Sequence, residues 1–138
     1  MSDKQPNQDL KYFDLHITGI GYANRVRDVA LKRGKSFLAV DISALHGSSE
    51  EVQYTRFDCR VSGKEAQAII EQIRPLINDE NNKVLVGFKL SDLYADTFVY
   101  SKGKKAGQTG VSLKARVLRI DWVKVNGKHI ELELADAA

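Results

Sequence analysis

Two alternating runs joined by a polar turn, between Ser36 and Val61, constrain this fold more than any other stretch. In the first, Leu38, Val40, Ile42 and Ala44 point one way, and Phe37, Ala39, Asp41, Ser43 and Leu45 the other. In the second, Phe57, Cys59 and Val61 form an apolar row opposite Tyr54, Arg56, Asp58 and Arg60. Alternation of period two marks half-buried strands. The residues from His46 to Glu51 are turn formers, so the pair reads as an antiparallel hairpin. Its outer row sets an aromatic ring beside two arginines. A nucleobase can stack on such a ring while a guanidinium reaches a phosphate. An ordinary solvated strand can carry the same residues, so the row gains meaning only from its neighbours.

Before the hairpin, Leu10–Ile20 reads as extended, with Phe13, Leu15, Ile17 and Gly19 alternating with Asp14, His16 and Thr18. Gly19 and Gly21 flank Ile20, and glycines inside a strand mark a bulge or a sharp bend. Tyr22–Lys35 is ambiguous. Tyr22, Val26, Val29 and Ala30 have helical spacing, but an extended reading is preferred because Lys32–Lys35 then turns into the next strand.

After the hairpin comes one amphipathic helix. Ser62-Gly63-Lys64-Glu65 has the form of a capping box. Ala66, Ile69, Ile70, Ile73, Leu76 and Ile77 make a single apolar stripe, and Pro75 should kink or end the helix. Lys83–Leu90 is a further strand with Val84, Val86, Phe88 and Leu90 inward, and it continues extended through Asp92–Tyr100. Ser101–Gly110 is a glycine-rich basic loop without the phosphate-loop pattern. Val111–Ile120 returns from it, with Val111, Leu113, Ala115 and Val117 inward and Ser112, Lys114 and Arg116 outward. Trp122–Leu134 forms a second hairpin about Asn126-Gly127, the strongest two-residue turn signal.

This element order predicts a mainly β chain: an OB-fold-like five-stranded Greek-key barrel, one amphipathic helix between strands 3 and 4, and an extra C-terminal hairpin. The 138 residues suffice for one domain with its own core, spanning 10–134, after a polar disordered tail over 1–9 and before a short end at 135–138. The single cysteine, Cys59, excludes an intramolecular disulfide and a multi-cysteine zinc site. No apolar run approaches the ~20 residues that span a bilayer, and the N-terminus has no signal-peptide core, so a cytoplasmic location is expected.

The formal charge of +3 is too small to imply nucleic acid, but its distribution is informative. Arg25, Arg27, Lys32, Arg33 and Lys35 form a first basic cluster. Arg56 and Arg60 lie on the outer row of the hairpin, Lys102, Lys104 and Lys105 in the glycine-rich loop, and Lys114 and Arg116 on the strand that follows. These twelve are the candidate phosphate contacts. The candidate stacking residues are Tyr22, Phe37, Tyr54, Tyr94, Phe98, Tyr100 and Trp122. Tyr94, Phe98 and Tyr100 share one row with Asp96, and that row either faces a ligand or fills the core in place of Leu93, Ala95, Thr97 and Val99. An OB-type barrel binds strands across its face and between its long loops, where the basic clusters fall.

Two resemblances bear on this reading. Thr18–Val61 resembles the bacterial single-stranded-DNA-binding proteins in layout: a glycine-containing first strand, a turn, a second strand and an aromatic third strand before the helix. The stretches KYFDLHITGIGYANR, SFLAVDISALHG, Tyr54–Gly63, VGFKLSDLYADTFVYSKG and AGQTGVSLKARVL resemble a family of replication-associated proteins of integrating conjugative elements, long classed as a domain of unknown function. That resemblance covers nearly the whole chain and implies a role in replication or maintenance of a mobile element. Unlike the housekeeping binding proteins, the chain lacks a long glycine-rich linker and an acidic tip ending in a hydrophobic pair.

No enzymatic activity, metal or cofactor is expected. His16, His46 and His129 are scattered over a strand, a turn and a hairpin, and Asp92, of the pair Asp92 and Asp96, reads as a turn cap rather than a metal-dependent nuclease carboxylate. The leading expectation is a binder of single-stranded DNA with little sequence preference. RNA is a variant that depends on the 2′-OH. The alternative is an OB-like interaction module that recruits replication or conjugation proteins through the Tyr94–Tyr100 row. Strand edges that need cover point to a homo-oligomer, a dimer or tetramer.

Overall fold

The computed structural model describes residues 13–132. The expected disordered tail over 1–9, the strand start at Leu10 and the chain end from 133 onward lie outside the described residues. The elements are β1 (His16–Val29), β2 (Phe37–Ser48), β3 (Glu51–Val61), α1 (Lys64–Ile77), β4 (Val84–Val99), β5 (Thr109–Val125) and β6 (Lys128–Ile130). The sheet order is β3-β2-β1-β4-β5-β6, and β3 also pairs with β5. That last pairing is parallel, from Phe57 opposite Leu113 to Val61 opposite Val117, and it closes five strands into a ring. The result is the OB-like barrel, with the helix between the third and fourth strands.

Alternation in the central hairpin is realised as read. β2 and β3 pair from Ala39 opposite Arg60 to Ser48 opposite Glu51. Val40, Ile42, Cys59 and Val61 face the core, where they meet Val86, Phe88, Leu90, Val117 and Val123. The apolar stripe of α1 (Ala66, Ile69, Ile70, Ile73 and Ile77) is buried as the helix packs on β1, β3 and β5. Each such isoleucine contributes about 1.5–3 kcal/mol by leaving water. Among the described residues no helix is long and apolar enough to cross a membrane.

The helix start differs from the expected capping box. Gly63 is the N-cap at φ 87°, with no side-chain cap hydrogen bond from Ser62 or Glu65. A glycine adopts that left-handed backbone without a Cβ penalty. The Ser62 N–H instead donates to the Val117 carbonyl at 3.2 Å, which extends the β3–β5 seam by one bond. Pro75 sits in the last turn, and the helix ends two residues later at Ile77.

β1 is extended to Val29, so the helical spacing of Val26, Val29 and Ala30 does not make a helix. The spacing comes from a bulge. The register with β2 shifts between Asn24 and Arg27, and Arg25 takes a positive φ of 53°. The extra residue resets the alternation: Ala23 and Val26 are buried, while Asn24, Arg25 and Arg27 all lie outward. Asn78, just past α1, supplies the hydrogen bonds that the bulge takes from Val26.

One strand start and one inward assignment are corrected. β1 begins at His16, and Phe13, expected to alternate with Asp14 in a strand, is 91% exposed, as is much of Leu15. Val111 is 62% exposed rather than inward. The cause is the length of the β4–β5 ladder. It runs out to Val99 opposite Thr109, whereas β1 leaves β4 at Ser91 and β3 meets β5 only from Leu113. The outer half is therefore a two-stranded arm standing off the barrel, hinged on a bulge between Ser91 and Tyr94 where Asp92 has a φ of 58°. At the far end, Asn126 (φ 51°) and Gly127 (φ 86°) form the two-residue turn into β6.

Candidate nucleic-acid interface

The outward face of β1, β2 and β3 carries the candidate site. At one end Tyr22 and Tyr54 lie with ring centroids 6.5 Å apart, tilted at 43°. At the other, the Arg60 guanidinium sits 4.5 Å over the Phe37 ring. Tyr54 and Arg60 are six residues apart on one strand, which is roughly 20 Å at ~3.3 Å per residue. Tyr54 is 57% exposed, the arrangement a stacking platform needs.

Between the two ends is an ion-pair network. Asp41 faces outward from β2 yet is only 3% exposed, because arginines cover it. Arg25 Nε donates to its Oδ2 at 2.8 Å, Arg27 Nη1 to its Oδ1 at 3.0 Å, and Arg56 Nη2 stands 3.4 Å from Oδ2. The hydrogen bond and charge of Asp41 hold the Arg25 guanidinium above its ordinary pKa. Arg27 also donates to Asp58 at 2.7 Å, and the Lys114 amine reaches the other oxygen of Asp58 at 2.6 Å. Burial alone would raise the Asp58 pKa; Lys114 and Arg27 outweigh it and hold the carboxyl below its usual value. Arg25 and Arg56 remain mostly exposed despite these bonds, so each keeps donors that face solvent.

The β4–β5 arm adds a second wall. Its two faces differ. Tyr94, Asp96 and Phe98 on β4 alternate with Ala95, Thr97 and Val99, and the latter set shares its face with Thr109, Val111 and Leu113 of β5, a face without charge. Tyr94 and Asp96 look into a cleft of about 540 Å³ whose other lining residues include Phe37, Arg60, Asp58, Lys114 and Arg116. Arg60 and Arg116 are direct partners across the β3–β5 seam. Like charges placed opposite one another cost stability, and an anion between them relieves it. Asp92 partly offsets the charge, 3.6 Å from Arg116.

The remaining candidates fall in other places. Phe98 and Tyr100 pack edge-to-face at 4.8 Å, and both lie over Gly110, where a Cβ would come within 2.5 Å of Phe98 Cζ. Lys105 approaches the Tyr100 ring at 5.5 Å, while Lys102 and Lys104 are exposed in the same loop. Lys32, Arg33 and Lys35 are exposed between β1 and β2. Trp122 is not part of this face. It covers Gly87, lies 5.9 Å from His129, and borders a groove with Ile69, Ile130 and Leu132. His46 on β2 is held by Thr55 at 2.9 Å, while His16 opens β1 and His129 lies in β6.

Residues 6–136 match the family described as Protein of unknown function (DUF3577). The chain belongs to that family. No curated protein and no solved structure matches it.

Two residues of this DUF3577 chain that organise the site escape a reading of composition and charge: Asp41 and Asp58. A carboxylate in mid-strand, facing the same side as Arg56 and Arg60, is the signal that was present. The convergence of Arg25 and Arg27 onto it depends on the β1 bulge, which no local pattern announces. In this DUF3577 chain basic residues of three strands, Arg25 and Arg27 of β1, Arg56 of β3 and Lys114 of β5, are therefore held in place by two aspartates.

Proposed function

We propose that this protein is a non-enzymatic binder of single-stranded DNA with low overall sequence specificity. One observation carries the reading: an exposed Tyr54 packed beside the half-buried Tyr22, and an arginine-topped Phe37, stand at opposite ends of one sheet face, with preorganised arginines between them. Bases stack on rings without regard to sequence, and guanidiniums follow the backbone phosphates. Holding the arginines on aspartates lowers the ordering cost of binding. The strand face and the loops that flank it are the surfaces by which OB-folds bind oligonucleotides.

A role in maintaining an integrating conjugative element belongs to the same proposal and rests on the resemblance of the stretches quoted above; a cytoplasmic setting is proposed with it. Self-association as a dimer or tetramer is supported by the arm, whose strand edges beyond Ser91 and before Leu113 have no neighbour among the described residues. The uncharged face through Thr97, Val99 and Val111 favours a second reading, a surface for replication or conjugation proteins.

The test is fluorescence anisotropy with a labelled mixed-sequence single strand, its duplex and the matching RNA, each at two salt concentrations. Tight, salt-sensitive binding to the single strand with weak duplex binding supports the proposal. Absence of single-strand binding at low salt overturns it and directs attention to protein partners.

A further inference from the structure

The cleft between the barrel and the arm holds cations and carboxylates together. Arg27, Arg60, Lys114 and Arg116 line it, but so do Asp58, Asp92 and Asp96. A polyanion would be repelled by bare carboxylates, so each of the three needs a reason to be there. Asp58 is paired with Arg27 and Lys114, and Asp92 with Arg116. Asp96 has no ion-pair partner among the described residues. Its neighbour across the β4–β5 ladder is Ser112, and the nearby Lys114 amine is already committed to Asp58.

Asp96 shares its face of β4 with Tyr94, two residues away, and both line the cleft with the Phe37–Arg60 pair. At about 540 Å³ the cleft lies within the range of pockets that hold small ligands, ~300–1,000 Å³. It therefore offers rings for a base, the opposed arginines Arg60 and Arg116 for a phosphate, and one unpaired acceptor for a base edge.

We propose that this cleft is a nucleobase subsite that selects a base carrying an exocyclic amino group, cytosine foremost, over thymine or uracil, with Asp96 as the residue that reads it. The proposal rests on the single-strand-binding reading. A carboxylate accepts from the amino group of cytosine. Thymine turns a carbonyl oxygen to the same position, and two facing acceptors repel. The low specificity of the other stacking positions then coexists with a preference at one.

The test compares oligo-dC with oligo-dT of equal length by anisotropy at fixed salt and neutral pH, for the native chain and for Asp96→Ala. The native chain should bind oligo-dC at least about five-fold tighter than oligo-dT. Asp96→Ala should erase that ratio, in part by tightening oligo-dT, because a charge that repels the ligand is gone. Asp96 is exposed on the arm, so the variant keeps the barrel core intact. Equal native affinities, with both strands bound, overturn the base preference and leave single-strand binding standing. A dC/dT ratio unchanged in Asp96→Ala overturns the role of Asp96. Binding of neither strand overturns the underlying function.

Discussion

Asn78 satisfies both backbone groups of Val26: its Oδ1 accepts from the Val26 N–H at 2.9 Å, and its Nδ2 donates to the Val26 carbonyl at 2.9 Å. One side chain beyond the helix thus stands in for the ladder that the β1 bulge interrupts. Asn78→Ala leaves a donor and an acceptor without partners and should cost about 2 kcal/mol of stability. Because the bulge aims Arg25 and Arg27 at Asp41, the same variant should also weaken binding of single-stranded DNA. Urea unfolding and anisotropy on one preparation check both effects. Unchanged stability would mean that water replaces the amide.

Tyr54 is more than half exposed, so its removal separates function from folding. Tyr54→Ala should weaken single-strand binding by about 1–3 kcal/mol at every salt concentration. Its melting temperature should stay close to that of the native chain.

Lys104 and Lys105 act differently because they carry charge in an exposed loop. If both neutralise phosphates, Lys104→Ala with Lys105→Ala should flatten the slope of log K against log salt by roughly 1.4, about 0.7 per phosphate on a single strand. The measurement is a salt titration of both proteins. Parallel slopes would remove this loop from the interface.

Asp58 makes stability depend on pH. Its carboxyl titrates below the usual value in the folded chain, where Lys114 and Arg27 hold it charged. A carboxyl depressed by folding stabilises fully above the unfolded value, about 4, and that contribution is lost as pH falls through the folded value. Urea midpoints of the native chain should therefore begin to drop as pH falls below about 5 and keep dropping through the unfolded value of about 4. Asp58→Asn should be less stable at pH 7, by about 1–2 kcal/mol, and should show a shallower acid drop.

The barrel was legible where one physical signal dominated. Leu38 to Ile42 and Phe57 to Val61 alternate with period two because each strand has one dry face, and Ala66 to Ile77 repeats at helical spacing because one stripe meets the core. Long-range geometry was not legible. Val111 looks like a core residue in its own strand, and only the point where β1 and β3 end makes it an arm residue. Ser62 and Glu65 have the letters of a cap, but Gly63 adopts a backbone that puts Ser62 on the seam instead. Tyr22, Phe37, Tyr54 and Tyr94 were identifiable as rings on strands. That Trp122 belongs to another surface depends on its packing over Gly87, a tertiary contact.

Cys59 lies on β3 where the ring closes, with Val40 of β2 on one side and Ala115 of β5 on the other. Burial pushes its thiol up to about 12, so in the closed barrel it is neither exposed nor ionised. A thiolate is the form that reacts with alkylating reagents. The chain therefore carries its own clock: Cys59 is modified only during moments when β3 parts from its neighbours. A ligand that bridges β3 and β5 should slow that clock, and the rate of labelling counts how often the seam opens.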